Sequence, residues 1–229
     1  MADNTSKTAR NEMLSRVRDR LGVRGDEPGR RGLVQSRLRN PHANLIPERA
    51  QKPRPELVKL FQTMLEKSGA KVNRVRSRKA LPEAISAALR DANLPSRLRA
   101  GDDKLFECLR AEPGLLELLS GPAEANDAVG LSRAFAGAAE TGTLFLASGP
   151  DNPSTLNFLP ETHFVIILAD DIAGSYEESW AQLRAHYGPG QMPRTVNLIS
   201  GPSRTADIEQ TIVLGAHGPK NLTVFIVSS

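Results

Sequence analysis

The segments His163–Ala169 and Leu222–Val227 hold almost nothing but apolar side chains. A strand with one wet face alternates apolar and polar residues. A run that is apolar at nearly every position reads as a strand buried on both faces, the habit of parallel sheets covered by helices. The chain supplies the cover. Glu56–Ser68 carries Leu57, Leu60, Phe61, Met64 and Leu65 on one helical stripe and stops at Gly69. Pro82–Ala92 reads as a helix with proline just inside its start, and Ser175–Tyr187 as another. Further strands are expected at Lys71–Val75, Ser96–Arg99, Ala128–Leu131, Thr143–Ala147 and Val196–Ser200. Leu105–Arg110, Gly114–Leu119 and Asp207–Leu214 read as helical, the last with Asp207 and Gln210 spaced as a capping pair. This alternation predicts an α/β fold with a mixed, mostly parallel sheet. Residues 149–162 join two strands through three prolines and no helical period, so those two strands are expected to pair antiparallel.

The chain has 229 residues, enough for one domain at 56–229 and an arm at 1–55. In the arm, Asn11–Gly22 reads as a short helix with Met13, Val17 and Leu21 four apart. Residues 1–10 read as loose and Val23–Pro55 as extended. Charge is divided along the chain. Residues 1–60 hold 14 Lys+Arg against 7 Asp+Glu, residues 61–100 hold 9 against 3, and residues 101–229 hold 7 against 16. A basic front on an acidic back suits a nucleic acid, a membrane surface, an acidic partner or the chain's own acidic domain. The single cysteine, Cys108, excludes an internal disulfide and a cluster held by about four thiolates. No apolar run approaches the ~20 residues of a membrane span, and no signal-peptide pattern opens the chain. A cytoplasmic protein is expected.

Ligands of open α/β sheets sit beyond the carboxyl ends of the strands. Polar clusters follow three expected strands: Ser148-Gly-Pro-Asp-Asn152, Asp170-Asp171 and Ser203-Arg204-Thr205. If those strands run the same way, the clusters converge. Arg204, flanked by two hydroxyls at the start of the expected helix Asp207–Leu214, is the leading anion-binding candidate; the competing reading is a simple helix cap. Glu140, in Glu140-Thr-Gly142, is a candidate base or nucleophile on a tight turn, set against an ordinary turn glutamate. His163 and His217, with Glu161 or the Asp170-Asp171 pair, are candidates for acid–base work. No metal-ligand spacing supports them, and hydrogen bonding to backbone is the competing reading. Tyr176, Trp180, Leu183 and Tyr187 fall at helical spacing, as a core or interface stripe does. No dinucleotide or phosphate-loop motif is present.

Five segments together resemble the lactate-utilization protein C family, whose members are built largely of the LUD domain. They are Ala139-Glu-Thr-Gly-Thr-Leu144, Leu159-Pro-Glu-Thr-His163, Met192-Pro-Arg-Thr195, Gly201-Pro-Ser-Arg-Thr-Ala-Asp-Ile-Glu-Gln210 and Gly215-Ala-His-Gly-Pro219. The resemblance is dense over about 125–229 and loose from about 56. It implies a Rossmann-like fold of the sugar-phosphate isomerase and CoA-transferase type. It also implies a part in oxidising L-lactate to pyruvate beside partner proteins that carry iron–sulfur clusters. No cofactor or metal is expected in this chain.

Three functions follow as expectations. The first is a subunit of a lactate-oxidising system that binds a small organic acid at Ser203, Arg204 and Thr205, with Ser148, Asn152, Asp171 and His217 as further ligand-binding candidates. The second is a stand-alone acyl/CoA-transferase or isomerase using Glu140. The third is nucleic-acid binding by the arm, which ranks last because residues 1–60 contain no aromatic for base stacking.

Overall fold

The computed structural model describes residues 2–41, 43–112, 114–208 and 211–228, without the side chains of 2–7, 206–208 and 211–212. It divides into two units, Met1–Asn44 and Leu45–Ser229. The first unit holds α1 (Ala2–Leu21) and α2 (Pro28–Arg39). α1 reaches back through the residues expected to be loose, and α2 occupies a stretch expected to be extended. Pro28 sits in the first turn of α2, where its missing N–H costs nothing. The Glu27 carboxylate accepts from the amides of Arg24 and Gly25, 2.8 and 3.0 Å away, and folds the turn before the helix. Gly29 and Gly32 dilute the helical signal in the sequence.

The second unit runs α3 (Arg54–Lys67), β1 (Lys71–Val75), α4 (Leu81–Asp91), β2 (Arg97–Ala100), α5 (Glu107–Arg110), β3 (Glu117–Ser120), β4 (Val129–Arg133), β5 (Ala136–Ala138), β6 (Thr143–Ala147), β7 (Thr162–Leu168), β8 (Ile172–Ala173), α6 (Tyr176–Tyr187), β9 (Val196–Ile199), β10 (Arg204–Ile208), β11 (Thr211–Leu214) and β12 (Asn221–Val227). Six strands form a sheet in the order β1-β12-β7-β4-β2-β3, and every pairing in it is parallel. A four-stranded sheet, β8-β5-β6-β9, is mixed, and β10 and β11 make an antiparallel hairpin. The fold is thus α/β with a mixed, mostly parallel set of strands.

The apolar runs sit where two-sided burial places them. Phe164, Ile166 and Leu168 of β7, with Phe225 and Val227 of β12, pack with Leu81, Ile85 and Leu89 of α4. The alternate residues Val165, Ile167, Val224 and Ile226 pack with Val58, Phe61 and Leu65 of α3 and with Leu144 and Leu146 of β6. The smaller sheet is covered on its other side by α6. Phe145 meets Trp180 edge-on at 5.3 Å and Tyr176 at 5.6 Å, and Leu183 is fully buried. The aromatic stripe of α6 is a packing face.

Three expectations are corrected. Gly114–Leu119 is not helical: Glu117–Ser120 pairs with β2 at the sheet edge, and tertiary pairing overrides the local preference of a leucine-rich run. β6 and β7 do not pair, because β6 belongs to the smaller sheet. The segment Asp207–Leu214 is not a helix: Arg204–Ile208 and Thr211–Leu214 are strands, with Thr205 opposite Val213 and Ile208 opposite Thr211. Gln210 of the expected capping pair lies outside the described residues. β5 and β8 escaped the sequence reading because runs of three and two residues are too short to carry a period.

Phe145 fastens α6 to the smaller sheet, so Phe145→Ala should cost about 3–5 kcal/mol through the cavity it leaves, read as a lowered midpoint in urea unfolding.

Candidate functional site

The carboxyl ends of β2, β4 and β7 open onto a cavity of about 540 Å³. Arg133 is the last residue of β4. Its guanidinium lies 3.6 Å from the Asp103 carboxylate, beyond β2, and 3.3 Å from the Asp171 carboxylate, beyond β7. Burial pushes the Asp171 carboxyl above its ordinary value even though Arg133 pulls the other way. The loop after β6 adds Asp151 and Asn152 to the wall, and the end of α6 adds His186 and Tyr187. Burial, reinforced by the Asp151 carboxylate, pushes the Tyr187 phenol up. The loop is tied down at several points. The Asp102 amide donates to the Pro150 carbonyl at 3.2 Å, and the Asn152 side-chain amide donates to the Ala147 carbonyl at 3.1 Å. A Cβ on Gly101 would overlap the carbonyl of Asp151, so only glycine lets this loop lie against the end of β2.

A second cavity, also about 540 Å³, lies at the amino ends of β1, β7 and β12. Thr162, Asn221, Thr223 and Asn73 lie on its strand side, and Ala84, Ala87 and Ala88 of α4 lie on its helix side. Among its described lining residues are three cations, Lys71, Arg74 and Lys220, and one carboxylate, Asp91. Lys220 is paired with Glu161 at 3.1 Å. The Arg204 guanidinium packs directly on Gly69, which lines this same cavity. The domain therefore carries an acidic cavity at one sheet edge and a basic one at the other.

The residues singled out in the sequence are distributed between these places. Asn152 and Asp171 meet in the acidic cavity. Ser148 stands just outside it, its hydroxyl accepting from the Thr195 amide at 2.9 Å. Ser203, Arg204 and Thr205 lie at the opposite edge, so the three clusters do not converge. β9 runs antiparallel to β6, with Ala147 opposite Val196 and Leu144 opposite Ile199; the end of one strand is level with the start of the other. No helix begins at the Ser203 loop, so the helix-end contribution to anion binding is absent there. The Ser203 amide donates to the Pro219 carbonyl, and the Ser203 hydroxyl accepts from the His217 amide at 3.3 Å.

Glu140 is buried, and its Oε1 accepts from the Tyr176 amide at 2.8 Å, at the start of α6. It serves as a cap for that helix. Thr143 beside it gathers the hydroxyls of Thr141, Tyr176 and Ser200 at 2.6–2.7 Å. His163 is fully enclosed, with Nε2 3.0 Å from Ser132 Oγ, which is 3.0 Å from Asn157 Oδ1. An amide oxygen only accepts, so Ser132 donates to Asn157 and accepts Nε2–H from His163. Nδ1 then carries no proton. Glu161 is engaged by Lys220 and Asp171 by Arg133, so the acid–base site suggested for His163 does not form. Arg133, Asp103, His186 and Tyr187 were missed. The available signal was positional: each follows or ends an element at the carboxyl edge.

Among the described residues, no helix is long and apolar enough to cross a membrane. Residues 122–227, a little under half of this α/β chain, match the family described as the LUD domain. An uncharacterized protein of Neisseria meningitidis serogroup B is 41% identical over 99 residues, 43% of this chain and 41% of that one. The protein named Lactate utilization protein C from Geobacillus sp. (strain WCH70) is 37% identical over 91 residues, 39% of this chain and 38% of that one. The matches thus span about two-fifths of the length of these curated relatives. A crystal structure of a DUF162 family protein from Deinococcus radiodurans shares the fold, with a TM-score of 0.57 and 22% identity, covering 77% of this chain and 99% of that one.

Two measurements check the buried groups. Burial lowers the His163 pKa from 6.5 to about 3. Below pH 6.5 the unfolded chain takes up a proton that the folded chain refuses, so stability falls as pH drops toward 3. This one group should contribute a slope approaching 1.4 kcal/mol per pH unit, and urea unfolding of His163→Gln should show a shallower slope over the same interval. Glu140→Gln keeps an acceptor for the Tyr176 amide but loses the charge at the helix start. Its cost should be about 0.3–1 kcal/mol, against about 1–2 kcal/mol for Glu140→Ala, both by thermal unfolding.

Proposed function

We propose that this chain is a component of a lactate-utilization system, serving the oxidation of L-lactate to pyruvate, and that it binds a small organic anion in the basic cavity beside Arg204. The reading is carried by the match of residues in the LUD segment to relatives named Lactate utilization protein C, at 32–37% identity. The charge of the amino-edge cavity supports the ligand class. Lys71, Arg74 and Lys220 outnumber Asp91, and Thr162, Asn221 and Thr223 offer hydroxyl and amide donors to a carboxylate.

Oxidation of lactate needs an electron acceptor, and this chain's residues do not fit an iron–sulfur cluster. It has one cysteine, Cys108. Its sulfur lies 3.1 Å from the Leu105 carbonyl, and burial pushes the thiol up, away from the thiolate form that ligates metals. The redox centres are therefore assigned to partner proteins, and the basic cavity to holding or delivering the organic acid. The stand-alone transferase reading is less well supported, since Glu140 is buried and occupied as a helix cap.

A strain lacking this gene should fail to grow on L-lactate as sole carbon source yet grow on pyruvate. Normal growth on lactate would remove the reading. With the purified chain, L-lactate or pyruvate at 100 times Kd should stabilise the fold by about 2.7 kcal/mol. Lys71→Ala with Arg204→Ala should erase that gain in a thermal unfolding assay.

A further inference from the structure

The basic cavity is larger and more apolar than an acid as small as lactate requires, and the alternation of its strands fixes which side chains meet inside it. Residues two apart on a strand share a face. Val75 of β1, Phe164 of β7 and Phe225 of β12 pack on the α4 side of the sheet. Lys71, Asn73, Thr162, Asn221 and Thr223 therefore point to that side as well. In the parallel register Thr223 stands between Lys71 on β1 and Phe164 on β7. Neighbouring strands lie about 4.8 Å apart, so the Lys71 ammonium and the Thr223 hydroxyl can serve one small group. Thr223 is 6% exposed. Its hydroxyl has no hydrogen-bond partner among the described residues, yet it is not sealed from solvent, so it opens on the cavity that Thr223 lines.

Facing this row is one flank of α4. Leu81, Ile85 and Leu89 enter the core, and Ala84, Ala87, Ala88 and Asp91 lie on the neighbouring stripe at helical spacing and line the cavity. The alanines keep that flank low, and Leu94 and Phe164 continue it as an apolar wall. The cavity's volume of about 540 Å³ falls within the roughly 300–1,000 Å³ of pockets that enclose drug-sized ligands. Lactate ends in a methyl group and would leave most of the wall bare. A cation and an unpartnered hydroxyl on the sheet side, with an apolar wall opposite, suit an anion that carries an apolar body. Asp91 closes the stripe with a negative charge. A phosphate or a dicarboxylate would set a second negative charge against it, whereas a single carboxylate needs only Lys71 and Thr223.

We propose that the ligand of the basic cavity is a larger relative of lactate, a monocarboxylic acid with a branched or aromatic apolar body. Its carboxylate is held by Lys71 and the Thr223 hydroxyl, and its body lies against Ala84, Ala87 and Ala88. The inference rests on the reading that this cavity binds an organic acid, and it narrows the class of acid.

The test is calorimetric titration of the full-length chain with L-lactate, L-phenyllactate and inorganic phosphate. Phenyllactate should bind at least about tenfold tighter than lactate, because burying even part of a ring supplies a factor of that size. Phosphate should bind more weakly than phenyllactate. Thr223→Val keeps the shape of the side chain and removes the hydroxyl, and it should weaken both acids about three- to tenfold. Ala84 and Ala88 also touch the core, so Ala87→Leu is the gentler way to fill the wall. It should weaken phenyllactate at least about tenfold and lactate less. Either variant serves if the other does not fold. If lactate binds as tightly as phenyllactate, this inference falls and the organic-anion reading stands; if neither acid binds, both fall. Phosphate binding tighter than phenyllactate, or phenyllactate affinity unmoved in the folded variants, would also overturn the inference.

Discussion

Everything in this domain rests on two strands that have no solvent face. β7 and β12 lie side by side in full parallel register, from Thr162 beside Asn221 to Leu168 beside Val227, and they divide the interior into two separate cores. One core is closed by α4 and the other by α3 and the smaller sheet. Burial of apolar surface on both faces supplies the driving force and leaves no freedom of register, since a one-residue slip would exchange the two cores. The parallel direction that this pairing enforces gives the sheet two chemically distinct edges.

Those edges have been given opposite charge. Arg133 at the carboxyl edge is surrounded by aspartates, while the amino edge gathers Lys71, Arg74 and Lys220. The overall balance along the sequence, basic in front and acidic behind, has a spatial counterpart. Lys71 and Arg74 come from the basic first half of the chain, and Asp151 and Asp171 from the acidic second half. The link between β6 and β7 belongs to this arrangement. It is pinned over β4 by the Ser132–His163–Asn157 group, with the Leu156 carbonyl close above Gly130, and it carries Asp151 and Asn152 to the acidic wall.

The strands whose burial is two-sided were legible in the sequence almost to the residue, because an apolar run such as Phe164–Leu168 has few other uses. The hairpin β10–β11 was not. Arg204–Leu214 mixes polar and β-branched residues in an order that satisfies helical and strand periods equally, and only its antiparallel pairing decides between them. That misreading moved the leading site candidate: Arg204 was placed on a helix end at the carboxyl edge and lies instead at the amino edge beside Gly69. Asn152 and Asp171 were singled out as polar residues following strands, and the structure brings them into one cavity. Arg133 was overlooked because its strand was read as ending at Leu131. The direction of β9 was unreadable for a more basic reason, since nothing within a four-residue strand states which neighbour it will join.

The close approach of the Asp151 carbonyl to Gly101 has an evolutionary consequence. A side chain at position 101 and the present path of the 149–153 loop exclude each other, although some fifty residues separate them. Any lineage that replaces this glycine must rebuild the loop in the same step or lose the wall that Asp151 and Asn152 provide. Among relatives, the residue at the end of β2 and the length or course of the loop after β6 are therefore expected to change together. Their covariation would mark which relatives retain an acidic cavity of this shape and which have remade it for another occupant.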